Sequence, residues 1–368
     1  MKTVGFVVNP IAGMGGAVGL KGTDGRVVLE RALALGAKPV APARAESFLS
    51  ELGSVKGRIR LITGAGRMGE DEARNRSFAF TVLGERMEET TAEDTKEVAS
   101  RIRDAGADLL VFCGGDGTAR DVLDAVDTSL PVLGVPTGVK MHSAVFAVDP
   151  RAAAEIAVRF LWEKLPLREV EVMDVDEDAF REGRVSARLY GYLLTPYQPD
   201  LIQGSKVSSP LTKAEMYNQA AIAIYIIEEM KPDVVYIVGP GTTTRTIGDL
   251  LDERKTLLGV DLFCNRKLIA RDVNEKEILE GIKGKTARII VTPIGGQGFI
   301  FGRGNQQMSP EVIRRVGMEN IVVIATKHKL WRLKCLRVDT GDSRLDKMLR
   351  GQIKVVTDYR EEHTARIE

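Results

Sequence analysis

The stretch Leu109-Leu110-Val111-Phe112-Cys113-Gly114-Gly115-Asp116-Gly117-Thr118-Ala119-Arg120-Asp121-Val122-Leu123 decides how this chain is read. Its first five residues are apolar without interruption, the pattern of a strand buried on both faces of a parallel sheet. The run stops at Gly114, and apolar residues at helical spacing resume with Val122, Leu123 and Val126. A strand, a glycine turn and a helix are therefore predicted in that order. Three glycines within four positions permit positive φ and let a ligand reach the main chain without meeting a Cβ. Free N–H groups at the start of the helix favour an anion, typically a phosphate. A carboxylate among such amides repels phosphate unless it has a task of its own, so Asp116 is the first candidate for chemistry. The positive end of the helix favours its charged form.

Upstream, a strand over 4–8 is broken by Asn9-Pro10 and runs into a loop holding Gly13, Gly15 and Gly16. A dinucleotide fingerprint would need a third glycine in register and an acidic residue closing the next strand. The glycine is missing, and the strand predicted over 38–41 runs into Pro42 and Arg44 instead of an acid. A helix over 27–35 stops at Gly36, and strands follow over 58–62 and 79–83. The helix over 91–104 opens on Thr91 with Asp94 three positions on, a capping box with Asp in place of Glu. Downstream, a strand over 131–135 leads into Pro136-Thr137-Gly138-Val139-Lys140-Met141-His142-Ser143. Strands alternating with helices predict a doubly wound parallel sheet, with the glycine loops gathered at its carboxyl edge. Thr137, Gly138, Lys140, His142 and Ser143 join the candidate site, Lys140 as a cation beside phosphates.

The second half opens with a helix over 150–165, and Pro166 marks the crossing. Segments 167–175 and 185–194 read as an antiparallel pair, and a helix is expected over 214–230. A strand over 233–238 runs into Gly239-Pro240-Gly241-Thr242-Thr243-Thr244-Arg245, and one over 287–292 into Pro293-Ile294-Gly295-Gly296-Gln297. Further strands are expected over 257–263, 321–325 and 353–357. Gly241, Thr242, Thr243 and Thr244 are candidates for ligand contact, with helix capping as the alternative. Gly295, Gly296 and Gln297 are candidates as well, with a hairpin turn as the alternative. Two domains are expected: 1–148, an α/β phosphate-binding domain, and 149–368, a β-rich substrate domain with a possible α/β insert near 205–285.

The 368 residues are 44% hydrophobic and 28% charged, ordinary for a globular protein. With 52 basic and 51 acidic side chains, a nucleic-acid or acidic-membrane partner is not expected. Cys113, Cys264 and Cys335 are widely spaced and odd in number, which suits small core residues in a reducing compartment. The apolar stretch at 4–8 is shorter than a signal peptide needs, so a cytoplasmic location is expected. His328 and His363 read as surface residues, Trp162 and Trp331 as packing residues. No cysteine–histidine cluster has zinc spacing, and neither G-x-x-x-x-G-K-[ST] nor G-x-S-x-G occurs.

Gly-Gly-Asp-Gly-Thr at 114–118 after a buried strand resembles the NAD kinase and diacylglycerol kinase superfamily, closest to its archaeal and bacterial ATP-NAD kinase-like branch. Asn9-Pro10 with Gly13, Gly15 and Gly16 is similar to the opening loop of the lipid-kinase members. Gly239 to Thr244 resembles, less closely, a threonine-rich loop that touches NAD, and Val291-Thr292-Pro293-Ile294 is similar to a later Thr-Pro-Ile segment. The resemblance implies an N-terminal α/β domain, a largely β C-terminal domain, an active site in the crevice between them, and a homo-oligomer. It implies phosphoryl transfer from ATP or polyphosphate, with Mg²⁺, to a hydroxyl, the adenosine ribose 2′-OH if the substrate is NAD. Asp116 would take the proton while Gly114, Gly115, Gly117 and Thr118 hold the phosphates. The metal ligands are not indicated. The Asn-Glu pair that contacts substrate in NAD kinases does not occur between the glycine motif and the threonine loop. The only such pair, Asn274-Glu275, comes later. Two alternatives follow: a kinase of another nucleoside, polyol or lipid alcohol, and a non-catalytic nucleotide-binding regulator.

Overall fold

A computed structural model describes residues 1–16, 18–20, 26–137, 141–175, 187–199, 201–202, 213–294 and 298–368. Its contacts divide the chain into two compact units, Met1–Gly15 with Lys21–Ser205, and Gly16–Leu20 with Lys206–Glu368.

The first unit runs β1 (Lys2–Val8), α1 (Arg26–Ala34), α2 (Ala41–Glu51), β2 (Ile59–Gly64), α3 (Glu70–Asn75), β3 (Ala79–Leu83), α4 (Ala92–Asp104), β4 (Leu109–Gly114), α5 (Asp116–Val126), β5 (Val132–Pro136), α6 (Pro150–Glu163), β6 (Leu167–Val175) and β7 (Ala187–Pro196). Strands β1 to β5 form one parallel sheet in the order β3-β2-β1-β4-β5. All of β4 is buried, which is why its sequence is apolar without alternation. From β1 the chain proceeds to β2 on one side, and from β4 to β5 on the other. The β1/β4 pair is therefore the topological switch point, where open α/β sheets take their ligands. Val8 pairs with Cys113, so the loops beginning at Asn9 and Gly114 leave the sheet side by side.

The capping box forms as read: Thr91 Oγ1 accepts from Asp94 N–H at 3.4 Å, and Asp94 Oδ2 accepts from Thr91 N–H at 2.7 Å. The strand expected over 38–41 does not form. Pro42 lies in the first turn of α2, where its missing N–H costs nothing and its fixed φ suits a helix start. Strands β6 and β7 pair antiparallel and pack on α5 and β5, so position 148 falls inside the first unit.

The second unit runs α7 (Lys213–Glu228), β8 (Val235–Val238), α8 (Thr242–Leu250), β9 (Asp261–Cys264), β10 (Lys267–Ala270), α9 (Glu275–Gly281), β11 (Ala287–Val291), β12 (Phe299–Phe301), α10 (Pro310–Val316), β13 (Ile321–Ile324), α11 (Lys327–Trp331), β14 (Arg337–Val338), α12 (Ser343–Leu349), β15 (Gly351–Asp358) and β16 (Glu361–Ile367). Its main sheet has the order β10-β9-β8-β11-β13-β15-β16, with β8, β11, β13 and β15 parallel and the outer strands antiparallel. Alternate residues of β8 feed separate cores, Val235 and Ile237 with Leu262 on one face, Tyr236 and Val238 with Phe263 on the other. The α/β portion extends beyond 205–285 to β15, because each parallel neighbour requires a crossover.

Cys113 is buried, but Cys264 and Cys335 are only half-buried. Trp162 carries the Arg58 guanidinium 4.7 Å from its ring centroid. Trp331 does not pack: it lies at the end of the short α11 and is 81% exposed. His328 and His363 are exposed. Among the described residues no helix is long and apolar enough to cross a membrane.

Candidate active site

At the carboxyl edge of the first sheet, Asn9 fastens the two switch-point loops together. Its backbone N–H donates to Cys113 O at 3.0 Å, and its Nδ2 donates to Thr118 Oγ1 at 2.9 Å. Thr118 Oγ1 also accepts from Gly115 N–H at 3.4 Å. The three motif glycines do not adopt positive φ, contrary to the sequence expectation. What matters is the missing Cβ: one on Gly114 would lie 2.4 Å from Thr118 Cβ, whereas one on Gly115 would face open space. Helix α5 starts there with no side-chain cap, and the N–H groups of Asp116, Gly117 and Thr118 have no hydrogen-bond partner among the described residues. The edge thus presents unpaired donors over a turn stripped of side chains, an anion site by construction.

Asp116 is the first residue of α5 and does not point freely to solvent. Its Oδ2 accepts from His142 N–H at 2.8 Å and its Oδ1 from Ser143 N–H at 2.9 Å, with His142 Nδ1 3.4 Å from Oδ2. The side chains of His142 and Asp116 are only 10% and 11% exposed. Ser143 Oγ accepts from Met173 N–H at 2.9 Å, tying this loop to β6. Thr137 donates its N–H to Gly114 O at 3.1 Å, and its own hydroxyl is buried with no hydrogen-bond partner among the described residues. Gly13 has φ +81, and a Cβ there would lie 2.0 Å from Thr137 O, so only glycine fits. Pro10 and Gly15 are buried in the same opening loop, and Gly16 belongs to the second unit. Gly138, Lys140, Gly295, Gly296 and Gln297 lie outside the described residues.

A neighbouring acid escaped the sequence reading. Glu70-Asp71-Glu72 looks like a solvated helix start, yet Glu72 is 4% exposed and its Oε2 has no hydrogen-bond partner among the described residues. Burial pushes its carboxyl up to about 7. The Cys113 thiol is raised too, chiefly by burial and further by the Glu72 charge.

In the second unit, Gly241 precedes α8 with φ +130 and donates its N–H to Leu257 O at 2.9 Å. The buried pair Lys255–Asp261 anchors that segment: Nζ lies 3.3 Å from Oδ2, which also accepts from the N–H and hydroxyl of Thr256. Thr243 and Thr244 are buried, and the Thr244 hydroxyl donates to Gly241 O at 3.0 Å. Exposed Thr242 accepts at its hydroxyl from Gln219 Nε2 at 3.4 Å. Thr292, directly after β11, lies against Gly241 and accepts from Lys329 Nζ at 3.5 Å. Burial lowers the Lys329 amine to about 8, against the opposing pull of Glu215. Sequence could not single out Lys329, because Lys327-His328-Lys329 reads as an ordinary solvated charge run.

A parallel sheet whose switch-point loops offer unpaired amides, a buried free hydroxyl and a carboxylate defines a phosphate-handling α/β protein. Residues 4–164 match the ATP-NAD kinase N-terminal domain, and residues 232–367 match the ATP-NAD kinase C-terminal domain. The chain belongs to the ATP-NAD kinase family and is a phosphotransferase with an alcohol acceptor. The reading as a non-catalytic regulator is thereby set aside. No curated protein matches the chain.

Proposed function

We propose that the protein transfers a phosphoryl group from ATP or polyphosphate to the adenosine ribose 2′-OH of NAD, giving NADP, with Asp116 as the general base. The observation that carries this reading is the carboxylate at the unpaired N-terminus of α5, oriented through His142 and Ser143. The acceptor oxygen attacks the terminal phosphorus, the bond to the bridging oxygen breaks, and ADP or the shortened polyphosphate leaves. The hydroxyl proton passes to Asp116. Phosphoryl transfer is mostly positioning and charge stabilisation. The unpaired amides of Asp116, Gly117 and Thr118 supply the positive field, and the Thr137 hydroxyl is a further donor to a phosphate oxygen.

Mg²⁺ fits this site as an ion carried on the donor phosphates. Among the described residues no three His, Cys, Asp or Glu side chains converge, and Mg²⁺ needs few protein ligands when phosphates and water complete its octahedron. When bound it neutralises charge on the transferring group.

One observation favours a second acceptor. Asn274 Oδ1 accepts from Glu277 N–H at 3.1 Å and Glu277 Oε2 from Asn274 N–H at 2.8 Å, so the sole Asn-Glu pair of the sequence opens a capping box on α9. Another polyol or nucleoside would then take the phosphate. Incubation of the purified protein with ATP or polyphosphate, Mg²⁺ and a panel of alcohols including NAD decides the matter. NADP formation is expected. Phosphorylation of a different alcohol alone would establish the second reading, and no phosphorylated product would refute both.

A further inference from the structure

Asp116 has two supports, the helix α5 that carries it and the segment after β5 whose N–H groups hold its carboxylate. Both rest on one antiparallel strand pair, β6 and β7. Ser143 and Ala144 lie along the outer edge of β6, where Met173 N–H donates to Ser143 Oγ at 2.9 Å and Ala144 N–H donates to Glu171 O at 2.8 Å. The Ser143 hydroxyl thus stands where a neighbouring strand would offer a carbonyl. Its own N–H goes to Asp116 Oδ1 at 2.9 Å. On the far side the same segment is held to β5, with Gly134 N–H donating to Val145 O and Ala147 N–H to Gly134 O, both at 3.0 Å.

The other strand reaches α5. Val170, Val172 and Leu193 share one core with Val122, Leu123 and Val126 of the helix. Pairing runs Val172 with Gly191 and then Met173 with Leu189, so the register shifts and Tyr190 is the extra residue, a β-bulge. Gly191 lies so close to the helix that a Cβ there would sit 2.7 Å from Leu123 Cδ2. The Tyr190 hydroxyl donates to Asp124 Oδ1 at 3.0 Å, and its ring centroid is 5.9 Å from the Arg120 guanidinium. A bulge re-aims a side chain without ending the ladder. This one falls at Met173, the residue that holds Ser143, so a single irregularity serves the helix on one strand and the carboxylate's anchor on the other.

We propose that the β6/β7 pair sets the position of Asp116 over the amide turn of α5, with the side chains of Ser143 and Tyr190 as positioning residues for phosphoryl transfer. Neither side chain touches the reacting atoms, and both act through the carboxylate. A general base works only within hydrogen-bond reach of the proton it takes, so a small displacement of Asp116 costs turnover while leaving substrate binding intact. This inference rests on the reading of Asp116 as the base.

The test measures kcat and KM of the full-length protein with the alcohol it phosphorylates, together with hydrogen exchange at the His142 and Ser143 amides. Ser143→Ala removes the acceptor of Met173 N–H but keeps the N–H given to Asp116. It is expected to lower kcat about tenfold with KM nearly unchanged, as loss of one hydrogen bond's worth of positioning implies. Tyr190→Phe, which removes only the bond to Asp124, should lower kcat about threefold. Both variants should speed exchange at His142 and Ser143. In an Asp116→Asn background both losses of kcat should vanish, because nothing remains to be positioned for proton transfer. Normal kcat and unchanged exchange in the two variants overturn the proposal, and so do losses of equal size with and without Asp116, which would mark plain structural damage. If Asp116→Asn itself turns over normally, or no alcohol is phosphorylated, the base reading falls and the exchange rates alone decide whether the strand pair holds the carboxylate, so the two fail separately. Should Ser143→Ala not fold, Tyr190→Phe still decides, since the Tyr190 side chain is exposed.

Discussion

Asn9 and Thr118, 109 positions apart in sequence, are joined by a 2.9 Å hydrogen bond from Nδ2 to Oγ1. Through it the loop after β1 and the first turn of α5 become one surface. Thr118 is 3% exposed, so Thr118→Val would leave the Asn9 amide and the Gly115 N–H without their acceptor. Thermal or urea unfolding should show a loss of about 1–3 kcal/mol. Thr118→Ser, which keeps the hydroxyl, should recover most of it. Equal stability of the Val and Ser variants would mean that the bond contributes nothing.

Asp116 has two separable duties, which Asp116→Asn and Asp116→Ala distinguish. Asn can still accept one of the two loop N–H groups, but it cannot take a proton. We expect Asp116→Asn to lower kcat by roughly 10²–10⁴, the usual range for a lost general base, with KM changed little. Asp116→Ala releases both N–H groups of His142 and Ser143, so it should also lower the melting temperature. Near-normal turnover by the Asn variant would remove Asp116 from the chemistry.

Glu72 makes stability depend on pH. Its folded-state value of about 7 lies above the ordinary 4.5, so between those values the folded protein keeps a proton that the unfolded chain releases. The stabilisation is complete below 4.5 and is lost as pH rises toward 7, by up to about 3 kcal/mol. Glu72→Gln should flatten this slope and be the more stable form above pH 7. Urea titrations of both proteins across this window test it, and parallel pH curves would show that Glu72 titrates normally.

Lys255 and Asp261 should respond unequally to truncation. Both side chains are fully buried, and burial lowers the Lys255 amine despite the pull of Asp261. If Lys255 is changed to Met, Asp261 keeps the N–H groups of Thr256 and Asp272 and the Thr256 hydroxyl. If Asp261 is changed to Ala, Lys255 keeps only the Thr256 carbonyl as a hydrogen-bond acceptor among the described residues. Breaking a buried pair costs about 3–5 kcal/mol, and Asp261→Ala should fall at the upper end, Lys255→Met below it. Denaturant unfolding gives the order directly, and a reversed order would contradict this division of partners.

Much of this was legible in residue order alone. The apolar run from Leu109, the capping pair Thr91 and Asp94, and the alternation of strands and helices specify local structure, because propensity, capping and burial on a parallel sheet act over a few residues. The motif at 114–118 likewise marks a strand-to-helix turn for phosphate. Pro42 shows the limit even at short range, since the same residue can end a strand or open a helix, and packing of α2 on β1 and β4 selected the helix. Long-range partners were not legible. Nothing near Asp116 in sequence names His142 and Ser143, nothing in an acid-rich helix start says that Glu72 turns inward, and nothing in a Lys-His-Lys run says that Lys329 meets Thr292. Those relations arise where crossovers bring strand ends together, and desolvation there, which no local pattern encodes, gives the charges their character.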